Sequence, residues 1–250
     1  MALADFRRTD HMLVYGHRGA RGPVPENTMA AFAFAADAGA DGVELDVRPC
    51  QSGEIVVAHD IDLARMTKGG DPRQVIDIPW SELRTRDLGG GTHTPLLSEV
   101  LDFAAQRGFR VNVEMKRDLL PDTQRQWRQR FALVRAVAEL VRGRAKVCVS
   151  SFDPFMLVAF GRAHADIVRC MLFHEGQARY LPWDLTALGP FQAFNAEHTM
   201  ISRYSVEFAH ARGAVVNGWT VNAADDIARL DACGTDGIIT DRPDLCPTAR

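Results

Sequence analysis

Two stretches decide the architecture: Val43-Glu44-Leu45-Asp46-Val47-Arg48 and Val111-Asn112-Val113-Glu114-Met115-Lys116. Each alternates apolar with polar or charged residues, the period of a β-strand. The apolar halves, Val43, Leu45 and Val47 with Val111, Val113 and Met115, predict an outward face packed on helices. Glu44, Asp46 and Arg48 then share the inner face of one strand. Asn112, Glu114 and Lys116 share that of the next. Inward carboxylates are costly unless paired or bound to a cation.

On both sides of these stretches, strands and helices take turns. Strands are expected over Met12–Gly19, Gly42–Arg48 (extended or repeated by Ile55–His59), Arg110–Lys116, Lys146–Phe152, Ile167–Phe173, Phe191–Asn195, Ala214–Val221 and Gly237–Thr240. Helices are expected over Thr28–Ala38, Leu97–Gln106, Asp122–Val141, Pro154–His164, Ser202–Ala211 and Ala223–Ala232. Eight strands alternating with helices in 250 residues predict an α/β chain of parallel strands. The count and length suit a closed (β/α)8 TIM barrel, with a doubly wound open sheet as the alternative. The segment 61–95, with its TKGGDPRQ and LGGGTHTP stretches, breaks the rhythm. It reads as an insertion at one mouth of a single domain spanning 1–250.

Composition narrows the function classes. Hydrophobic residues make up 46% and charged residues 24%, as in an ordinary globular protein. The net charge of −3 offers no basic surplus for nucleic acid. A basic helical stretch, Arg125, Arg128, Arg130, Arg135, Arg142 and Arg144, reads as the solvated side of an outer helix. The five cysteines, Cys50, Cys148, Cys170, Cys233 and Cys246, lack CxxC spacing and are expected as free thiols. No apolar run of membrane-spanning length occurs, and the charged N-terminal stretch does not resemble a signal peptide, so a cytoplasmic protein without membrane insertion is expected.

Three carboxylates on one interior face, Glu44, Asp46 and Glu114, suggest a hard divalent ion, Mg2+ or Ca2+. Ion pairing with Arg18, Arg48 and Lys116 accounts for the alternation equally well. The histidines His17 and His59 tip the balance. Each closes an apolar strand, and in a parallel barrel all strand ends open on the catalytic face. Histidine suits proton transfer near neutral pH. Arg18 and Lys116 add positive charge for an anion. Cations, a metal and an acid–base pair together are equipped for phosphoryl transfer. Trp219, at the end of a strand shared with Asn217 and Val221, is either a wall for a carbon skeleton or core packing. His11, His93, His164, His174, His198 and His210 receive no role. Pro25-Glu26-Asn27-Thr28 reads first as a helix start capped by Asn27 or Thr28; Glu26 or Asn27 reaching the metal or His59 is the less favoured reading. Gly89, Gly90 and Gly91 lack the context of a phosphate loop.

Seven segments then carry a resemblance: GHRGA (Gly16–Ala20), PENT (Pro25–Thr28), GADGVELDV (Gly39–Val47), VVAHD (Val56–Asp60), NVEMK (Asn112–Lys116), GWTVN (Gly218–Asn222) and DGIITDRP (Asp236–Pro243). In this order they resemble the glycerophosphodiester phosphodiesterase family. The resemblance implies a (β/α)8 barrel that hydrolyses small-molecule glycerophosphodiesters to glycerol 3-phosphate and an alcohol. It implies Glu44, Asp46 and Glu114 as ligands of one Mg2+ or Ca2+, and His17 and His59 as acid and base. Arg18 and Lys116 would contact phosphate, and Trp219 would line the glycerol side. From about His174 to Met200 the family's signatures stop, so the alcohol-side pocket is not assigned. Two other readings stay open: a related-barrel phospholipase or lyase, and a catalytically silent glycerophosphodiester-binding protein.

Overall fold

The computed structural model describes residues 2–67, 69–117, 123–178 and 191–246. Asp122, the expected start of a helix, lies outside them, as do residues 179–190 of the unassigned segment. The side chain of Arg125 is likewise outside the description.

Among the described residues, eight parallel strands form a closed barrel: β1 (Leu13–His17), β2 (Gly42–Pro49), β4 (Arg110–Met115), β5 (Val147–Ser151), β6 (Val168–Phe173), β7 (Ala193–Glu197), β8 (Val215–Trp219) and β9 (Gly237–Thr240). β1 pairs with both β9 and β2, which closes the ring and excludes the open sheet. Helices α1 (Met29–Asp37), α3 (Leu97–Arg107), α4 (Thr123–Val141), α5 (Pro154–Ala163), α7 (Arg203–His210) and α8 (Ala224–Cys233) connect successive barrel strands. Two single-turn helices, α2 (Trp80–Leu83) and α6 (Glu175–Ala178), lie in longer connections.

The helix ends obey local chemistry. Thr28 caps α1 by accepting from Ala31 N, and Asp153 caps α5 by accepting from Phe155 N, with Pro154 in the first turn. α3 stops at Gly108, whose φ of 64° lets the chain leave the helix without a Cβ clash.

The alternation of β2 and β4 divides as expected. Val43, Leu45, Val47, Val111, Val113 and Met115 are buried in the shell between strands and helices. Burying one such side chain contributes about 1.5–3 kcal/mol. The inward residues form layers. Leu13, Tyr15, Cys148, Cys170 and Val215 fill the N-terminal end of the barrel, and Phe6 from a short 3-10 helix packs onto them. Above this apolar floor the inward side chains become charged. The floor therefore leaves only the strand C-termini open to a polar ligand.

Three expectations need correction. β3 (Ile55–Val57) is not a parallel barrel strand: it runs antiparallel to β2, pairing Val47 with Val57 and Pro49 with Ile55. His59 therefore reaches the mouth on the returning arm of a hairpin. Its neighbour Ala58 donates its backbone N–H to Asp46 O at 2.9 Å. Second, β8 ends at Trp219, so Val221 does not share the inward face of Asn217 and Trp219 but joins the outer core. Third, the basic face of α4 is only partly solvated: Arg128, Arg135 and Arg142 are exposed, whereas Arg130 is buried against Asp153 at 3.2 Å. The five cysteines are free. The segment after β3 has its own small core of Leu63, Val75, Ile78 and Leu83, continuous with Val56 and Ala58. Among the described residues, no helix is long and apolar enough to cross a membrane.

Candidate active site

Strand register assembles the centre. His17 on β1 lies beside Glu44 on β2, and Asp46 lies beside Glu114 on β4. After His17 the chain turns sharply through Arg18, at φ 53°, and Gly19, at φ 82°. A Cβ on Gly19 would sit 2.6 Å from the carbonyl carbon of Ala31, so only glycine lets this turn pack on α1. The turn aims the backbone N–H of Arg18 at Glu44 Oε2, 3.1 Å away.

Glu44, Asp46 and Glu114 are buried, and one oxygen from each lies within 4.8 Å of the others. Among the described residues, two cations answer three carboxylates. Lys116 Nζ is 2.8 Å from Glu114 and 3.2 Å from Asp46, and Arg18 Nε is 3.3 Å from Asp46. Arg48 does not join them; its guanidinium donates to the backbone oxygen of His59 at 2.7 and 3.1 Å. Ion pairing is thus real but incomplete. Burial pushes Glu44 well above the usual carboxylate range, and the charges of Asp46 and Glu114 push it further. Burial also raises Glu114 despite Lys116. Burial alone would raise Asp46 too, but Lys116 and Arg18 outweigh it and hold that carboxyl low. Uncompensated negative charge on clustered, buried oxygen ligands fits a hard divalent cation. Asn27 points the same way: its Nδ2 donates to Asp46 at 2.9 Å, while its buried Oδ1 has no partner among the described residues.

Each histidine is held by a carboxylate at Nδ1. His17 Nδ1 is 2.6 Å from Asp241 Oδ1, and His59 Nδ1 is 2.7 Å from Asp60 Oδ1. Asn222 fixes Asp241 in turn, donating from Nδ2 at 2.9 Å and accepting the Asp241 backbone N–H at 2.9 Å. A carboxylate on Nδ1 sets the tautomer, with the proton on Nδ1 and the lone pair on Nε2. His17 Nε2 lies 3.9 Å from Glu44. Burial lowers the pKa of His59, and Lys116 and Arg18 add to this against the pull of Asp46.

His17, Arg18, Glu44, His59, Glu114 and Lys116 line a cleft of about 330 Å³, with Asp46 buried against Arg18 and Lys116. Its far wall is aromatic. Trp219 donates its Nε1–H to Asn195 O at 3.0 Å and meets Phe152 edge-on, with ring centroids 5.6 Å apart. Phe152 also packs near His174, with ring centroids 6.0 Å apart. His17, Arg18, Glu44, Asp46, His59, Glu114, Lys116 and Trp219 are thus gathered at one mouth.

Thr28 caps α1, one of the two caps expected, while Glu26 and Asn27 turn into the site, the less favoured of the two sequence readings. Buried Glu26 accepts from Arg18 at 2.7 Å, Arg21 at 2.6 Å and Arg65 at 2.7 Å. These charges overcome its burial and bring its pKa to about 2. The other histidines stay apart from the acidic cluster: His93 approaches Arg86 O, and His210 pairs with Asp236. Gly89 and Gly91 direct their N–H groups to Asp87, as a simple turn.

Fold and mouth together define a (β/α)8-barrel enzyme equipped for an anionic substrate. Residues 17–245 match the model of the glycerophosphoryl diester phosphodiesterase family. A glycerophosphodiester phosphodiesterase of Caldanaerobacter subterraneus is 31% identical over 241 residues, 93% of this chain and 95% of that one. A second, from Bacillus altitudinis, is 31% identical over 95% of this chain and 97% of its own. The crystal structure of a Silicibacter pomeroyi protein assigned as a glycerophosphoryl diester phosphodiesterase has a TM-score of 0.86 at 30% identity. That match covers 97% of this chain and 94% of the other. The chain belongs to the glycerophosphoryl diester phosphodiesterase family.

Proposed function

We propose that this chain hydrolyses glycerophosphodiesters to glycerol 3-phosphate and an alcohol, with a divalent cation and a pair of histidines. One observation carries the reading. Two histidines, each with Nδ1 held by its own carboxylate, share a cleft with two cations and with Glu44 and Glu114, which cluster with buried Asp46. Family membership and the relatives named above support the substrate class.

Glu44, Asp46 and Glu114 are the residues that would hold Mg2+ or Ca2+. When bound, the ion supplies positive charge to the phosphate and eases deprotonation of the attacking hydroxyl. Arg18 and Lys116 hold the remaining phosphate charge, and Trp219 with Phe152 bounds the carbon skeleton. His59, kept neutral near pH 7 by its lowered pKa, takes the proton of the substrate's own glycerol hydroxyl as that oxygen bonds to phosphorus. His17 gives a proton to the departing alcohol oxygen as the P–O bond breaks. Water then opens the cyclic ester with the two roles reversed. Such a reversal needs two imidazoles with free Nε2 atoms, which the carboxylate on each Nδ1 favours.

The test is release of glycerol 3-phosphate from glycerophosphocholine and glycerophosphoethanolamine, with EDTA and with each metal restored. His17→Ala, His59→Ala and Glu44→Ala run beside the wild type. Activity is expected to vanish with chelation and to fall by about 10²–10⁴ in the histidine variants. Full activity in His59→Ala removes the acid–base pair, and chelator-resistant activity removes the ion. Binding without product release would mark a silent binding protein. A cyclic phosphate as final product would mark a lyase of the related-barrel kind. Rapid quench in H2¹⁸O separates the routes: a trapped cyclic ester supports internal attack, and its absence supports direct attack by water.

A further inference from the structure

Arg65 stands in the segment after β3, outside the barrel, yet its guanidinium ends in the site. Nη2 donates to Glu26 Oε1 at 2.7 Å and Nε to Asp60 Oδ2 at 2.6 Å. Asp60 uses its other oxygen for His59 Nδ1. Glu26 meanwhile holds Arg18 and Arg21, and Arg21 Nη1 lies 3.6 Å from Asp241, the partner of His17. One connected path of charged groups therefore runs His59–Asp60–Arg65–Glu26–Arg21–Asp241–His17. Arg65 is the single link in it that comes from the inserted segment.

Most surface ion pairs contribute little, because solvent screens them and long side chains lose entropy. Arg65 differs in two ways. Its Nη2 partner, Glu26, is only 7% exposed, so that contact is shielded on the carboxylate's side, although the Arg65 side chain is 46% exposed. Its planar fork also engages two different carboxylates, which fixes their separation in a manner one ammonium could not match. The base of the side chain is firm as well. Leu63 is buried in the segment's own core, and Val75 N donates to Ile61 O at 2.8 Å.

We propose that Arg65 is a positioning residue: it ties Asp60, the carboxylate that orients His59, to Glu26, the anchor of Arg18. The inserted segment thereby sets the aim of the His59 imidazole. This rests on the reading of His59 as a proton-transfer group, and it assigns Arg65 no contact with substrate.

The test pairs a readout independent of turnover with a kinetic cycle, both on the full chain. In ¹⁵N-histidine-labelled wild type, the His59 ring is expected as one tautomer, protonated at Nδ1. Arg65→Ala is expected to shift its ring nitrogens towards a mixture, while the melting temperature stays close to wild type. Unchanged ring signals in Arg65→Ala would overturn the proposal, whether or not the enzyme turns over. With glycerophosphocholine as substrate, Arg65→Ala should lower kcat on the order of tenfold with little change in KM. Arg65→Lys, whose one ammonium lacks the two fixed donor positions of the guanidinium, should behave similarly. Arg65→Ala combined with Asp60→Asn should lose no more than Asp60→Asn alone, because both changes break one path. Multiplying losses would overturn the proposal and assign Arg65 a structural role. An inactive wild type with the expected ring signals would remove the proposed function and leave the positioning intact.

Discussion

Oδ1 of Asp241 lies 2.6 Å from Nδ1 of His17, so the carboxylate that follows β9 fixes the imidazole that ends β1. Asp241→Asn would keep the shape and remove the charge, leaving the ring free to choose the other tautomer. We expect kcat to fall about a hundredfold with the melting temperature nearly unchanged. Steady-state kinetics beside a thermal melt checks this; unaltered kcat would remove Asp241 from the apparatus.

The acidic cluster predicts a metal-linked stability with a definite pH dependence. Without the ion, Glu44 has a folded pKa above its ordinary 4.5. Its stabilising effect is full below that value and is lost as pH rises through the raised one. Asp46 acts oppositely, with a lowered pKa whose contribution is lost only as pH falls below 3.8. The chelated protein should therefore lose stability on going from about pH 4.5 to pH 7. Mg2+ or Ca2+ at a hundred times its Kd should add about 2.7 kcal/mol. For a chain of this size that raises the melting temperature by roughly 5–10 °C. A Glu44→Gln protein whose melting temperature still responds fully to metal would argue against the site.

Glu26 predicts the opposite pH trend. Its folded pKa of about 2 lies below the ordinary 4.5, so its contribution is present above 4.5 and fades as pH falls towards 2. Glu26→Ala leaves buried Arg18 without its closest partner and should cost about 3 kcal/mol at pH 7. Urea unfolding at pH 7 and pH 3 should show the gap between wild type and variant narrowing at the lower pH. A constant gap would mean that the cost lies in packing.

Trp219 should act on binding more than on chemistry. Trp219→Phe loses the hydrogen bond to Asn195 O and about 1 kcal/mol of stability. Trp219→Ala removes the wall and should raise KM about tenfold while kcat changes less, the signature of lost uniform binding. A fall in kcat at constant KM would instead give Trp219 a part in the chemical step.

Much of this was legible in the sequence because the period of a strand is unambiguous when charges alternate with valines. Glu44, Asp46 and Glu114 read as interior neighbours, and register then set them together. Where alternation fell silent, the reading weakened. Val221 was put inward because nothing in the sequence marks the end of β8. The turn Cys50–Glu54, with Gly53 at φ 97°, is too short for a parallel crossover, which the alternation on either side of it does not reveal. Asp60 stood in view beside His59. Asp241, 224 positions from His17, could be linked to it only by closure of the ring. Glu26 was hidden for another reason: a glutamate before a helix ordinarily reads as part of its start, and only the folded chain reveals three arginines converging on it.

The hairpin of β2 and β3 works as a ruler. Its length between Asp46 and His59 is counted in residues, and a pleat permits only steps of two if a side chain is to keep its face. Deleting one residue from the exposed Gln51–Gly53 tip would slide β3 along β2 and turn the His59 ring away, with the barrel itself untouched. Such a protein is expected to keep the barrel but to melt below the wild type, because buried Ile55, Val56 and Val57 change faces, and to turn over no faster than His59→Ala. A stepwise series of tip lengths would then give activity that alternates with odd and even counts.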